Sequence, residues 1–504
     1  GTSTNGTSSF GGSVNYESNF GLEKQTEFEL SYGSWNTSMG NFKYGSGLSK
    51  NGKWSGYFNL SGFNTDGYRY HSGGKGYLGF LGVQYLGETE TVKLTAFSGG
   101  SNNEMAWFGV SEEDIENDPR TNYNSPDADD NFKQTLVMTE YTKRFNSTNK
   151  ISGTVFYNRL DGDWDLYVGD MLNFGLYSNF YGLIGNYNVK PKDFDINVGI
   201  STNFYDRHHS MVVLPDEDFN IYENVGNKNE YSAYAKAKYD ISKFTLFGDI
   251  QYRYVTFKYD GHVPMEKQDW NFFNPKFGIT YSVDKNLNFY TSIGLSHREP
   301  TRSDMFGGED DLIEFNTVTP EKVVDYEIGT NYTDERLNVQ ANIYFMDFDN
   351  EITLLGALGS YSLQQFGNVE QSYRSGIEID FAYKLHKEIT IKYNGNFSDN
   401  KIKDQGVEFS PLYTPTVVQN ISLGFHKDDV LFQLTGRYQN KSYIDFANEN
   451  TLDAFFTTDL LVGYENEHWG FKVKGVNLLS QEYYTNGYMD GSIKYLYTHD
   501  QARV

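Results

Sequence analysis

Short stretches of about ten residues, in which apolar and polar side chains alternate, recur along the whole sequence. Residues 336–345 give the clearest case, with the apolar side chains Leu337, Val339, Ala341, Ile343 and Phe345. A tilted strand needs about 9 to 11 such residues to cross the hydrocarbon core of a bilayer. The same period of two recurs at 454–464 and 471–474, whereas helical periodicity is scarce. The pattern predicts strands with one lipid-facing and one wet face.

Composition favours the same architecture. The 504 residues include 41 Tyr, 38 Phe and 6 Trp but no Cys, and the mean hydropathy is negative. Membrane barrels place aromatic side chains in girdles at both interfaces and have a polar lumen, which lowers the average hydropathy. The sequence has no run of 18 apolar residues, so it predicts no transmembrane helix. Absence of cysteine suits a chain that crosses an oxidising periplasm unfolded.

A soluble all-β protein, such as a propeller or stacked sandwiches, is the alternative interpretation. A propeller would repeat a blade motif at a period of about 40 to 50 residues. The sequence shows no such repeat, and its connections alternate between short and long. This alternation favours a membrane barrel, in which tight turns face the periplasm and long loops face outward.

The connections predict the number of strands. Ten short turns are rich in Asn, Asp, Gly, Pro and Lys: Lys50–Lys53, Gly87–Glu88, Asn146–Asn149, Lys190–Asp193, Ser242–Lys243, Asp284–Asn286, Asp334–Glu335, His386–Glu388, Lys427–Asp429 and Asn466–His468. The longer segments between them are expected at 35–38, 64–76, 99–131, 161–173, 205–228, 260–270, 298–320, 350–370, 400–412, 440–453 and 481–493. We therefore predict an all-β, 22-stranded antiparallel transmembrane barrel, with about 21 strands clearly present and a truncated closing strand after Tyr495.

A barrel of 22 strands has a lumen wide enough to need a separate plug. The first residues, GTSTNGTSSFGGSVN, are rich in Gly, Ser and Thr and precede the first predicted strand. We expect residues 1–20 to be the end of a plug domain or a linker, and residues 21–504 to form the barrel.

Several motifs resemble those of TonB-dependent outer-membrane transporters, in their ferric-siderophore and ferric-citrate receptor branch. The leader is similar to the tail of that family's plug, and five further segments match in order: Trp270–Lys276 (WNFFNPK), Ser296–Asp304 (SHREPTRSD), Pro320–Gly329 (PEKVVDYEIG), Ser372–Glu378 (SYRSGIE) and Val476–Tyr484 (VNLLSQEYY). The resemblance implies import of a ferric chelate across the outer membrane of a Gram-negative bacterium. It also implies energy coupling through the TonB–ExbB–ExbD complex.

The sequence departs from the family at its beginning. Members carry an N-terminal plug and, ahead of it, a short segment that TonB grasps, whereas this sequence offers only the plug's last strand. The plug is then expected to have been removed, to lie in another chain or a disordered region, or to be lacking in a natural passive pore. We favour the explanations in which a plug exists over the passive pore, because an open lumen of this width would leak solutes.

Binding residues are expected where the extracellular segments converge over the lumen, since no nucleophile, metalloprotease or nucleotide-binding motif indicates an enzyme. Arg298 and Arg302 begin one long segment, and arginine binds carboxylate or hydroxamate oxygens through two parallel hydrogen bonds. The alternative is an ion pair with Glu299, Asp304 or the acidic run 309–311.

A second candidate group opens the segment at 205–228 and comprises Tyr205, Arg207, His208 and His209. Histidine and arginine together could grip a chelate, and imidazole could coordinate a metal or haem iron. Neighbouring side chains in a strand point to opposite faces, so the two histidines would share a side only if the loop has already begun there. The alternative is a surface loop with incidental histidines.

Further candidates are Tyr361, Gln364 and Gln365, whose phenol and amide groups suit a neutral or sugar-like cargo as well. Gln251 and Arg253 alternate with Tyr252 and Tyr254, so we expect them to face the lumen or plug. For Arg253 we favour pairing with plug carboxylates or barrel neighbours.

The net charge of −25 is concentrated in the long segments, at Glu112–Asp114, Asp127–Asp130, Asp216–Asp218 and Glu309–Asp311. Acidic loops are typical of a solvated surface and are one expected location for Ca²⁺. This charge disfavours nucleic acid as a partner. An anionic chelate would need a local basic patch.

Three functions stay open. The first is TonB-dependent import of a ferric siderophore or similar iron chelate, with no covalently bound cofactor. The second is import of another cargo: haem, cobalamin, a divalent metal or an oligosaccharide. The third is a plugless passive porin. Expected partners also include outer-membrane lipid and lipopolysaccharide, with a surface lipoprotein as an open alternative.

Overall fold

The computed structural model describes residues 16–215, 220–306, 318–359, 364–500 and 502–504. The predicted leader at 1–15 lies outside the described residues. Residues 16–20, the rest of the predicted linker, have no regular secondary structure before the first strand begins at Lys24.

Nearly all of the described chain is strand. The strands up to the middle of the chain are β1 (Lys24–Gly33), β2 (Thr37–Ser46), β3 (Trp54–Thr65), β4 (Gly74–Leu86), β5 (Glu90–Glu104), β6 (Val110–Ser111), β7 (Asp129–Arg144), β8 (Asn149–Tyr167), β9 (Met171–Val189), β10 (Phe194–Leu214), β11 (Asn220–Ile241), β12 (Phe244–Gly261) and β13 (Met265–Ser282). The later strands are β14 (Leu287–Arg298), β15 (Glu321–Thr333), β16 (Leu337–Leu358), β17 (Gln364–His386), β18 (Ile389–Asp404), β19 (Val407–Phe409), β20 (Val417–Lys427), β21 (Val430–Gln439), β22 (Ser442–Tyr443), β23 (Thr451–Leu452), β24 (Phe455–Glu465), β25 (Gly470–Gly475), β26 (Gly487–Asp490) and β27 (Ile493–Leu496).

Twenty-two of these strands form one antiparallel sheet. Each long strand pairs with the next long strand along the chain, from the β1–β2 ladder to the β24–β25 ladder. Strand β19 has three residues and pairs only with the end of β18, so the other 21 strands make up the wall. The predicted all-β, antiparallel architecture of about 22 strands is confirmed.

The two edge strands of this sheet, β1 and β25, are approached by the last described residues. Arg503 forms an isolated antiparallel bridge with Val476, directly after β25. The next residue, Val504, accepts a hydrogen bond of 2.7 Å from the backbone N–H of Ser34, directly after β1. Residues 503 and 504 therefore lie between the two edges and are bonded to the residues that directly follow β25 and β1.

The ten short turns lie where the sequence predicts them, but several predicted long loops are wrong. Strands β8 to β13 and β16 to β17 extend into the segments predicted as loops at 161–173, 205–228, 260–270 and 350–370. Beyond the membrane, the outward side chains of these strands are polar, so the alternation fades while the backbone ladder continues. The connection between β8 and β9 is only Val168–Asp170.

Rows of outward aromatic rings mark the membrane band on β9 to β13. The upper row consists of Tyr181, Phe204, Tyr231 and Tyr254, one on each of four adjacent strands. The centres of consecutive rings in this row are 5.4 to 6.3 Å apart. A lower row includes Phe194, which stacks on Tyr239 at 4.3 Å. About ten residues of tilted strand separate Phe194 from Phe204, which matches the apolar band of about 25 Å in outer-membrane barrels.

The two helices, α1 (Glu112–Asn117) and α2 (Arg302–Phe306), lie in extracellular connections. In the described part of the chain, no helix has the length and apolar character needed to cross a membrane. Helix α2 packs into an apolar cluster at the extracellular end of the wall, formed by Phe257, Tyr259, Val263, Met265, Met305 and Phe306. This cluster positions the candidate site described below.

The outward face of β16 tests the membrane placement. Ile343 is exposed within the apolar band, two residues from the outward ring of Phe345, so we expect Ile343→Arg to lower the free energy of unfolding by about 2 kcal/mol, the lower end of the cost of a lipid-facing cation at the midplane. Asp347→Arg, four residues further on the same face, is the matched control and should change little. Denaturant titration in lipid vesicles measures both, and equal effects would contradict the placement.

Candidate functional site

A cavity of ≈ 240 Å³ lies between the lumenal wall and the chain segment that follows β14. We name residues 299–306 the inward segment, because this piece folds against the lumenal side of β10 to β13. The cavity is lined by Tyr205, Arg207, His209, Gly226, Lys228, Phe257, Trp270, Pro300, Thr301, Arg302 and Ser303. Four predicted binding residues thus converge on one site: Tyr205, Arg207, His209 and Arg302.

Strand geometry brings three of these residues to the same face. Tyr205, Arg207 and His209 alternate along β10, which continues here as paired strand rather than the predicted loop. Their partners on β11 include Lys228 opposite Tyr205. His208 points to the other face, where its Nδ1 lies 2.7 Å from the hydroxyl of Tyr177 and the rings stack. The expectation that neighbouring histidines in a strand separate is confirmed.

Two cavity side chains have unused hydrogen-bonding groups. His209 is 7% exposed, and its Nε2 has no hydrogen-bond partner among the described residues. The Nε of Arg207 is likewise buried without a partner in that part of the chain. Because a buried polar atom without a partner is costly, these groups are suited to contact a bound molecule.

Arg302 is held over aromatic rings. Its Nε donates a hydrogen bond of 3.1 Å to the hydroxyl of Tyr259, and its guanidinium carbon lies 5.8 Å from the centre of the Tyr259 ring and 5.4 Å from that of Phe306. Cation–π contacts of this kind fix a guanidinium without neutralising its charge. The guanidinium of Arg302 is thereby held in the lining of the cavity.

Arg298 forms an ion pair with Asp304, which was the alternative to cargo binding in the sequence analysis. Its Nη1 lies 3.0 Å from a carboxylate oxygen of Asp304, and its Nε pairs with Glu321. Both carboxylates are buried, and Arg298 is absent from the cavity lining. The structure thus places it behind the site, as an anchor for the inward segment.

A second ion-pair network lies inside the wall. Arg253 is fully buried, and its Nε lies 2.9 Å from Glu230 while its Nη2 lies 3.2 Å from Glu299. Glu299 also accepts from Lys228, whose Nζ is 2.6 Å away. Arg253 therefore pairs with barrel neighbours, as favoured above. Through Glu299 the network also contacts Lys228, a cation that lines the cavity.

The carboxyl group of Glu299 remains ionised in this environment. Burial opposes its ionisation, but the positive charges of Lys228 and Arg253 outweigh that effect and hold the pKa of Glu299 below its ordinary value of 4.5. A carboxylate with a lowered pKa keeps its ion pairs until the pH falls through that lowered value. The ion pairs of Glu299 are consequently present at neutral pH and lost only when the pH falls below the ordinary range of a glutamate carboxyl group.

The other predicted residues lie apart from the cavity. Gln251 faces the lumen, where its side-chain oxygen accepts from Asn274 at 3.2 Å. Gln364 donates to the hydroxyl of Tyr413 at 3.0 Å, and Gln365 lies in β17. Tyr361 falls outside the described residues. None of the described members of this set lines the cavity.

Sequence reasoning missed Lys228, Phe257 and Trp270, which complete the cavity. Each lies on the lumenal face of its strand. Lys228 is opposite the predicted residue Tyr205 on one side and opposite Phe257 on the other. Alternation of side chains along β10 continues beyond Tyr205 and could have indicated a strand. The residues that follow Tyr205 are polar on both faces, however, so this part of the sequence resembled a loop.

Calcium stays a prediction. Within the ranges that the structure describes, no group of three or more His, Asp or Glu side chains is arranged to hold a metal ion. Two of the four acidic runs, Asp216–Asp218 and Glu309–Asp311, lie wholly outside those ranges.

The family model described as "TonB dependent receptor-like, beta-barrel" matches residues 1–478. The chain belongs to this family. Receptors of this family reside in the outer membrane of Gram-negative bacteria and interact with TonB. The resemblance noted in the sequence is thereby confirmed.

Relatives of the receptor are distant. It is 23% identical over 180 residues to the "Pesticin receptor" of Yersinia enterocolitica serotype O:8 / biotype 1B, an alignment that spans 34% of the chain and 26% of that relative. The aligned part is thus about a quarter of the length of the curated relatives that it matches.

Solved structures share the fold of the receptor. The ferric citrate transporter FecA, in its unliganded form, has a TM-score of 0.82 at 16% identity, covering 93% of this chain and 75% of FecA. The ferric yersiniabactin uptake receptor FyuA from Yersinia pestis has a TM-score of 0.80 at 15% identity, covering 96% and 79%. The copper transporter OprC has 0.81 at 14%, covering 96% and 82%. These proteins are named as receptors or transporters, not enzymes.

Arg298→Ala tests the anchor. The change leaves Asp304 and Glu321 buried without their cation, so we expect the free energy of unfolding to fall by about 3 kcal/mol, the lower end for breaking a buried pair. Arg159→Ala is the control, because Arg159 forms a single solvent-exposed pair with Asp161. Its denaturation midpoint should match that of the unmodified receptor, and equal midpoints for both variants would show that the anchor contributes nothing.

Proposed function

We propose that this receptor imports an iron chelate that carries anionic oxygen groups. The observation that supports this proposal is the cavity itself, which gathers Arg207, Lys228 and Arg302 on the lumenal side of a chain whose net charge is −25. A concentration of cations in so acidic a protein points to an anionic ligand. Carboxylate, hydroxamate and catecholate chelates of iron all present such oxygens.

The cavity also has the groups needed to orient a chelate. Guanidinium groups form directed hydrogen bonds to carboxylate oxygens, and Arg207 has an unused buried Nε. Trp270 and Phe257 supply flat apolar surface at the same site. Cations with adjacent rings suit a compact, highly polar chelate that keeps part of its surface apolar.

A directly bound metal ion is the second candidate cargo. His209 presents an unpartnered Nε2 at the cavity, and neutral imidazole is a common ligand of transition metals. The flanking arginines disfavour a bare cation, because like charges repel at close range. We therefore rank the anionic chelate first; haem, cobalamin and oligosaccharide remain further alternatives.

The lumen is suited to a plug rather than to passive flow. Carboxylates on the lumenal faces of β15 and β17 include Asp325, Glu327 and Glu378. One oxygen of Asp325 is buried without a partner within the described chain. A plug that presents cations would neutralise this wall. We infer that TonB, with ExbB and ExbD, acts on that plug, and that lipid and lipopolysaccharide surround the barrel; a surface lipoprotein is an alternative partner.

Substitution of the cavity cations tests the chelate proposal. We expect Arg207→Gln and Arg302→Gln each to weaken binding of ferric citrate about tenfold, the effect of about 1.4 kcal/mol. His208→Gln is the matched control, because His208 adjoins Arg207 but points to the opposite face. Titration of purified receptor with the chelate measures the dissociation constants, and unchanged constants in both arginine variants would contradict the site.

Growth of cells with and without the gene identifies the cargo. We expect loss of growth on one ferric chelate supplied as the sole iron source, from a panel of ferric citrate, catecholate and hydroxamate chelates and haem. Restoring the gene with Arg207→Gln and Arg302→Gln together should not restore growth. A defect confined to copper supply would instead favour a directly bound metal ion, and one confined to cobalamin supply would favour that further alternative.

A further inference from the structure

Three charged side chains that do not line the cavity are almost completely buried beside it. Arg253 is 1% exposed, Glu230 is 3% exposed and Glu299 is 4% exposed. They come from β12, β11 and the inward segment, respectively. Water has been removed from all three, so their charges interact strongly and their positions depend on one another.

Glu299 joins this network to the cavity. One of its oxygens lies 3.2 Å from Arg253 and 2.6 Å from Lys228, and only Lys228 of these two cations lines the cavity. The ammonium group of a lysine is mobile on its four-carbon stem. The fixed carboxylate therefore determines where the positive charge of Lys228 lies.

Glu299 also restricts where Arg302 lies, since only two residues separate them along the chain. The intervening backbone is short and constrained: the N–H of Thr301 donates to Asp304 at 2.8 Å, and the side chain of Asp304 is in turn held by Arg298. The inward segment is thus attached to the wall at Glu299 on one side and through Asp304 on the other. Met305, in the same segment, is only 2% exposed.

We propose that Arg253 and Glu299 are positioning residues that set the spacing of the cavity's cations without touching the cargo. Arg253 fixes Glu299; Glu299 then orients Lys228 directly and Arg302 through the inward segment. Buried ion pairs often contribute more to a unique arrangement than to stability. The proposal rests on the proposed function, since the spacing of cations matters only if the cavity takes an anion.

A single engineered cysteine reports the position of the inward segment without any cargo, because the chain has no cysteine. Met305→Cys places a thiol in the buried cluster, where it reacts with a maleimide only when the segment leaves the wall. In the receptor displayed on intact cells, we expect Arg253→Gln to raise the labelling rate about tenfold, a measure of local opening. Arg253→Lys, which keeps the charge, should stay within about threefold of the reference.

Arg159→Gln is the matched control for the arginine substitution and should leave the labelling rate unchanged. If Arg253 filled space only, the Gln and Lys variants would label alike, and that result would overturn the proposal. The Lys variant also preserves a readout if the Gln variant fails to reach the outer membrane.

Coupling between the two residues provides the stricter test. We expect Glu299→Gln alone, Arg253→Gln alone and the two together to raise the labelling rate by about the same factor, because each change breaks the same connection. Rates that multiply in the double variant would mean that the residues act independently, which contradicts the proposal.

Ferric citrate binding separates this inference from the proposed function. If the unmodified receptor binds the chelate, Arg253→Gln should weaken binding while Arg253→Lys largely restores it. If the unmodified receptor binds none of the anionic chelates, the proposed function fails, and the labelling rates still decide whether Arg253 and Glu299 fix the inward segment.

Discussion

Pairing of every backbone N–H and C=O group within a bilayer is the constraint on which this structure depends. Lipid offers no hydrogen bonds, so a chain without membrane-spanning helices must satisfy these groups between strands. The consecutive antiparallel ladders from β1 to β25 do so for every strand between these two edges. They also decide which side chains meet, because ladder register places Tyr205 opposite Lys228 and Arg253 opposite Phe272. The binding cavity is therefore a product of strand register before it is a product of loop conformation.

The sequence predicted the architecture well because the bilayer imposes a simple code. Outward side chains between the aromatic rows must be apolar, and lumenal ones need not be, so alternation was visible at stretches such as 336–345. This alternation is imposed only as far as the membrane surface. Above it the outward face of β8 to β13 is no longer uniformly apolar, and the predicted loops were consequently placed up to about ten residues too early along several strands.

The sequence indicated which types of side chain the candidate site contains, but not all of the residues that line it or hold it in place. Residue type and alternation pointed to Tyr205, Arg207, His209 and Arg302, which the fold brings together. The same reasoning could not show that Arg298 faces Asp304 and Glu321, or that Glu299 lies between Lys228 and Arg253. These pairings join residues 6 to 71 positions apart, and they depend on where the inward segment crosses the lumen. Local sequence carries no information about such a crossing.

The unequal heights of the wall have a consequence for how the rim moves. Strands β8 to β13 and β16 to β17 are 18 to 23 residues long, whereas β1, β2 and β21 have ten. The tall side continues the cooperative ladder of the barrel, so it opens only at a free energy close to that of global unfolding. The low side is completed by connections that pack around Val110, Ile115, Ile444, Leu452 and Leu496. Such a unit can open separately. The barrel thus has a stiffer side, which carries the candidate cavity, and a more compliant side, whose rim is built from separately packed connections.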